Sequence, residues 1–171
     1  HGDDVRSRPV ANFQLTDGLV LHDRRKRTAE YLFQTHIQRS GDVIWLNTSL
    51  AKPDLITLLT HATVFLCPSV YEPLGIVNLE AMACETAVLA SDVGGISEVV
   101  VDGKTGELVN YQGDGQSFEK SLSTKINALM SDPNLLTQYG KAGRKRAIEN
   151  FSWDSIAQET VDLYQRILNK S

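Results

Sequence analysis

The 171-residue sequence predicts an α/β fold: a doubly wound, mostly parallel sheet with helices on both faces. Three observations predict it. Apolar runs of five or six residues alternate with longer segments of helical period. The runs are short and mostly apolar, which suits strands covered on both faces, as in a parallel sheet. And the alternation of strand and helix at this spacing is that of βαβ units, whose crossovers wind a sheet with ligands bound outside the carboxyl ends of its strands. No repeat, low-complexity tract or linker interrupts the pattern, and the length is that of one domain.

Residues 1–17, opening HGDDVRSRPVANFQ, are polar and irregular and form a poorly defined N-terminal segment; the domain is expected over 18–171. Its strand candidates are GLVLH (18–22), DVIWL (42–46), ATVFLC (62–67), TAVLAS (86–91) and a short GELVN (106–110). Between the first two, RTAEYLFQTHIQRS reads as a helix with Ala29, Leu32, Phe33, His36 and Ile37 on one face. PDLITLLTHA places Pro53 at a first helical position. GIVNLEAMACE runs as a helix from Gly75 to about Glu85, and GGISEVVVDG gives one or two turns that stop at Gly103. Beyond GELVN the pattern is helical to the end. It divides into FEKSLSTKINALMSD, a helix opened by Pro133, and SWDSIAQETVDLYQRILNK with Ser152 as N-cap.

Composition excludes several classes. A net charge of −4 gives no reason to expect nucleic acid or an acidic membrane surface as a partner. The run Arg24, Arg25, Lys26, Arg27 reads as a solvated turn or helix start. Cys67 and Cys84 belong to no CxxC pair and have only His61 nearby in sequence, so no metal site is expected and both read as small buried hydrophobes. No apolar run approaches the roughly 20 residues of a membrane span. With no secretory leader to favour a disulfide, a cytoplasmic location is expected.

The stretch PSVYEPLGIVNLEAMACE (68–85) carries the chemistry. It is a strand exit, a loop and a helix start at the edge where ligands bind. The first amides of a helix have no internal partners and lie at the positive end of its dipole, so Gly75, Ile76 and Val77 offer an anion site fit for phosphate. Glu72 in the loop and Glu80 inside the helix cannot favour phosphate, but each can accept hydrogen bonds from sugar hydroxyls. A phosphate site flanked by two such carboxylates suits a nucleotide sugar. Spacing alone also fits a loop carboxylate and a solvated helix face, and both readings stay open on these residues.

The longer segment PSVYEPLGIVNLEAMACETAVLASDVGGISEVVVDGKTGELV resembles the donor-binding core of retaining glycosyltransferases of GT-B architecture with the E-x7-E pattern. Its nearest likeness is to bacterial glycogen synthases of the glycosyltransferase family 4 type. The resemblance is dense from Asp42 to Val109, weaker through AGRKRAIENFSW to the last helix, and poor before residue 18. It implies a Rossmann-like C-terminal half of a two-domain enzyme. It further implies that Glu72 is the catalytic glutamate, set against the donor sugar and supporting charge at the anomeric carbon. Leu74, Gly75, Ile76 and Val77 would hold sugar and phosphate through backbone amides, and Glu80 the ribose hydroxyls. Gly94 and Gly95 match a loop near the sugar, although a plain tight turn explains them equally well. Asn47 to Leu50 match the place where the base rests, and Ser97 stands where relatives often carry proline.

Parts of the family pattern are missing. No glycine-containing turn with an Arg/Lys pair for the pyrophosphate is present, and DRRKR does not match it. His1, His22, His36 and His61 match no catalytic histidine and read as surface or packing residues. The N-terminal acceptor domain is absent, so the chain by itself is expected to be inactive as a transferase. The implied reaction moves a hexose, glucose first, from ADP-glucose or UDP-glucose to an α-glucan, with no cofactor. Two alternatives remain: the same donor half serving a lipid or small-molecule acceptor, and a non-catalytic nucleotide-binding module. The last helix, with Ile156, Val161, Tyr164, Ile167 and Leu168, is more apolar than a lone surface helix needs, and self-association is expected of it.

Overall fold

A computed structural model describes residues 37–40, 43–46 and 49–169. The central feature is a three-stranded parallel sheet in the order β3 (Val64–Cys67), β4 (Ala87–Asp92), β5 (Gly106–Asn110). Val64 is in register with Ala87 and Cys67 with Ala90; Val88 is in register with Gly106 and Asp92 with Asn110. Around it lie α1 (Lys52–His61), α2 (Ile76–Ala83), α3 (Ile96–Val99), α4 (Gly115–Met130), α5 (Pro133–Phe151) and α6 (Trp153–Leu168).

Strand geometry sends successive side chains to opposite faces, and because Val64–Cys67 of β3 and Ala87–Ala90 of β4 are apolar at every position they build two cores. Phe65, Cys67, Val88 and Ala90 pack on one face with Leu59 of α1, Ala81 and Met82 of α2, Ile96 and Val99 of α3 and Ala147 of α5. Val64, Leu66, Ala87 and Leu89 pack on the other with Phe118, Leu122, Ile126 and Leu129 of α4 and Leu136 and Tyr139 of α5. The expected α/β sheet with helices on both faces is therefore present. Cutting a fully buried Leu, Ile or Met of these cores, such as Leu89, Ile96 or Met82, to alanine costs about 2–5 kcal/mol.

Helix ends follow the sequence signals. Asp132 caps α5, accepting from the Asn134 and Leu135 amides at 3.1 and 3.0 Å, and Pro133 stands in its first turn. Ser152 caps α6 by accepting from the Ser155 amide at 3.2 Å.

One region departs from expectation. Ile37–Ser40, read as the end of a helix, is strand β1, and it pairs antiparallel with β2 (Val43–Leu46) in a separate two-stranded sheet. The reason lies in the connection. Gly41-Asp42 is a two-residue link opening with glycine, which favours a hairpin over either a helix or a parallel crossover. The strand candidate at 18–22 and most of the helix candidate before Ile37 lie outside the described residues.

Candidate functional site

The carboxyl edge of the sheet is built from two loops that interlock. The first leaves β3 after Cys67 and enters α2; the second leaves β4 after Asp92 and enters α3. Ser91, fully buried near the end of β4, donates its hydroxyl to the Ser69 carbonyl and lies 3.4 Å from the Cys67 carbonyl. This ties the start of the first loop to the neighbouring strand. Further along, the Gly95 amide donates to the Glu72 carbonyl at 3.0 Å.

Glycine is required at this crossing. A Cβ on Gly94, whose φ is +52, would lie inside the envelope of the Glu72 carbonyl, and one on Gly95 would strike the backbone of Pro73 and Leu74. Gly94 and Gly95 thus make a tight turn whose packing sets the height of the Glu72 loop.

Two arginines of α5 hold the far ends of both helices. Arg144 donates to the Ala83 carbonyl at the end of α2. Arg146 donates to the Val99 and Glu98 carbonyls, at 2.9 and 2.8 Å, at the end of α3. A cation at a helix C-terminus satisfies orphan carbonyls and complements the dipole.

Gly75 is the N-cap of α2 in a left-handed conformation, φ +86, rather than its first helical residue. Its amide donates to Glu72 Oε1 at 3.1 Å. The expectation that this amide faces outward, free for an anion, is corrected here. A carboxylate three residues upstream already occupies it, as the positive end of a helix favours. The side chains of Leu74, Ile76 and Val77 are exposed beside it, as are Val70 and Tyr71. Half-buried Glu72 and the exposed start of α2 therefore face solvent together.

Glu80 sits elsewhere. It lines a cavity of about 770 Å³ between α1 and α2 that also touches Lys52, Ile56, Cys84, Lys141 and Arg144. None of Glu72, Leu74, Gly75, Ile76 or Val77 lines that cavity. The structure thus brings Glu72, Leu74 to Val77, Gly94 and Gly95 into one cluster and puts Glu80 on the wall of a separate groove lined by α1, α2 and α5. Of the segment expected near the base, Ser49 and Leu50 are described and precede α1.

Residue-level reading missed Ser91 and Asn78. Asn78 is fully buried in the first turn of α2, and a polar residue within the apolar run GIVNLEAMA was the available signal. Among the described residues no cluster of three or more His, Cys, Asp or Glu side chains could hold a metal ion, and no helix is long and apolar enough to cross a membrane. Cys67 and Cys84 are free thiols, the first buried and the second half-buried.

Residues 27–146 match the family described as "Glycosyl transferases group 1". The chain belongs to the group 1 glycosyl transferases. Within this family it is 55% identical over 130 residues to the alpha-maltose-1-phosphate synthase of Mycobacterium tuberculosis (strain ATCC 25618 / H37Rv), an alignment covering 75% of the chain and 33% of that relative. It is 32% identical over 115 residues to the glycogen synthase of the same organism, covering 67% of the chain and 27% of that relative. Among solved glycosyl transferases, sucrose-phosphate synthase from Thermosynechococcus elongatus superposes with a TM-score of 0.64 at 34% identity, over 85% of the chain and 35% of that structure. Anabaena Alr3699/HepE in complex with UDP-glucose superposes with a TM-score of 0.56 at 26% identity, over 66% of the chain and 30% of that structure. The chain spans about a third of the length of these proteins. The nearest likeness expected from the sequence, to bacterial glycogen synthases, is met only by a weaker match of 32% identity, against 55% for the alpha-maltose-1-phosphate synthase.

Proposed function

We propose that the chain is the donor-binding half of a retaining hexosyltransferase that uses a nucleoside-diphosphate glucose. The observation that carries this reading is the half-buried Glu72 carboxylate, pinned by the Gly75 amide at the open start of α2. The exposed α2 terminus takes the diphosphate through the Ile76 and Val77 amides and, in exchange for Glu72, the Gly75 amide, and Glu80, farther along the same helix, takes the ribose hydroxyls. Glu72 faces the sugar ring. As the bond from the anomeric carbon to the phosphate oxygen breaks, charge builds on the diphosphate and is met by the helix-terminal amides. The positive charge left at the anomeric carbon is met by Glu72. An acceptor hydroxyl forms the new bond on the face the phosphate leaves, and its proton goes to the departing phosphate. The donor is ADP-glucose or UDP-glucose, as the UDP-glucose complex of a structural neighbour supports, and no metal or organic cofactor is needed.

The acceptor is presented by a separate domain, and the reaction proceeds in the cytoplasm. The sequence reading favours an α-glucan, and the glycogen synthase likeness supports it. A small-molecule acceptor has a specific observation in its favour: the stronger likeness to proteins named for making α-maltose 1-phosphate, a product that a glucosyl group and a glucose phosphate would give. Calorimetric titration of the chain with ADP-glucose and UDP-glucose tests the donor assignment; saturable binding to one is expected, and binding to neither would overturn it. Supplying the complete enzyme with that donor and either glycogen or glucose 1-phosphate separates the two acceptors.

A further inference from the structure

Asn78 stands out against the pairing of buried polar groups elsewhere. Its side chain is fully buried, and neither amide atom has a hydrogen-bond partner among the described residues. A buried amide left unpaired is destabilising, so an apolar residue of similar size would stabilise this position. Its neighbours give the reason for an amide here. The ideal Cβ position of Gly75 lies 2.8 Å from Asn78 Nδ2, 3.4 Å from a side-chain carbon of Ile96 and 3.7 Å from Glu72 Cγ. Asn78 therefore fills the space that glycine leaves at the N-cap, and the Glu72 side chain reaches the same space.

We propose that Asn78 is a positioning residue for Glu72, its buried amide fixing the left-handed turn at Gly75 and providing a hydrogen-bond donor for the Glu72 carboxylate when a donor phosphate competes for the Gly75 amide. The Glu72–Gly75 bond is the arrangement seen in this structure. A diphosphate drawn to the start of α2 meets an amide already occupied by a carboxylate, and the two negative groups cannot share it. Rotation of the carboxylate away from the amide brings it toward Nδ2, which exchanges one donor for another and keeps Glu72 at the sugar. The unpaired amide is thus a group held ready at some cost in stability, a pattern typical of functional sites.

This inference rests on the donor reading, and the test keeps the two apart. Asn78→Leu and the smaller Asn78→Val are compared with the parent chain by thermal midpoint, by hydrogen exchange of the Gly75 amide, and by titration with UDP-glucose and ADP-glucose. The expected result is a midpoint equal to or above the parent's, exchange of the Gly75 amide at least tenfold faster, and donor affinity at least tenfold weaker. Unchanged exchange, or unchanged affinity in a variant that folds, overturns the assignment. A parent chain that binds neither donor refutes the donor reading; the Gly75 exchange rate still decides whether Asn78 fixes the turn. If Asn78→Leu does not fold, Asn78→Val carries the same three readouts, and failure of both variants to fold marks a structural residue and overturns the proposal.

Discussion

Glu72 and Glu107 are both partly buried carboxylates on this fold, and they are treated in opposite ways. Glu107, on β5, accepts from the Tyr139 hydroxyl of α5 at 2.7 Å and from the Lys125 ammonium of α4. Burial works against its charge, but the bonds from Lys125 and Tyr139 outweigh it and hold the carboxyl below the ordinary glutamate range. Every bond links two elements, so the cluster fastens α4 and α5 to the sheet edge. Among the described residues the Glu72 carboxylate has one hydrogen-bond partner, a backbone amide three residues away in its own loop. A carboxylate saturated by its own fold serves structure; one held lightly beside exposed helix amides and an unpaired asparagine is left with capacity for a ligand. The same contrast separates the glycines. Gly94 is wedged against Glu72, whereas Gly103 has a similar positive φ and nothing within 4 Å of its Cβ position.

The largest expected effect follows from that second pair. Gly94→Ala forces the two carboxyl-edge loops apart, costs about 3 kcal/mol or more and abolishes donor binding. Gly103→Ala costs only about 1 kcal/mol, the penalty of a left-handed alanine, and leaves binding intact. Urea unfolding of both variants, read at constant m-value, checks the difference; equal losses would remove the packing argument.

Next in size is the Glu107 cluster. Tyr139→Phe is expected to destabilise by about 1 kcal/mol and to leave donor affinity unchanged. The pH dependence has two limbs. A depressed carboxyl contributes stability fully above the ordinary glutamate range, and loses it as pH falls through its lower folded value. Burial, and then the bond to Glu107, raise the Tyr139 hydroxyl well above its usual range, so that contribution is complete below the ordinary phenol range, near pH 10, and is lost as pH rises through the folded value. Stability should therefore plateau between these ranges. In Tyr139→Phe the alkaline loss should disappear and the acid loss should shrink, as unfolding midpoints across pH would record.

The smallest effect concerns α6. Trp153 is 86% exposed, Leu168 73% and Tyr164 62%, and no residue of the helix is buried. The sequence expectation of self-association becomes a proposal on that surface: light scattering should show a mass that rises with concentration, and Tyr164→Lys with Leu168→Lys should return it to a monomer. A mass independent of concentration in the parent chain would remove it.

Much of the fold was legible because strong signals coincided. β3, β4 and β5 lie within a residue or two of their apolar runs, since strands packed between helix layers are mostly apolar. α5 begins and ends where Pro133 and Phe151 place it, and Ser152 caps α6 as its hydroxyl chemistry suggests. β1 was misread because Ile37 completes an apolar helical face while the glycine-led link at 41–42, which overrides it, is only two residues long. At the site, the clustering of Glu72 with the glycine turn was legible in outline. The capture of the Gly75 amide by Glu72 was not, because it depends on a left-handed N-cap that glycine permits but does not announce. Asn78 was hidden for a related reason: a polar residue in an apolar helix signals something only when the structure shows that it is buried and unpaired.

The central claim is that the carboxyl edge around α2, and not the Glu107 cluster, binds a nucleotide sugar. Titration of UDP-glucose and ADP-glucose into the parent chain, Glu80→Ala and Glu107→Gln tests it most directly. The account predicts saturable binding of one donor, at least tenfold weaker in Glu80→Ala and unchanged in folded Glu107→Gln. Full affinity in Glu80→Ala, or loss confined to Glu107→Gln, would contradict it.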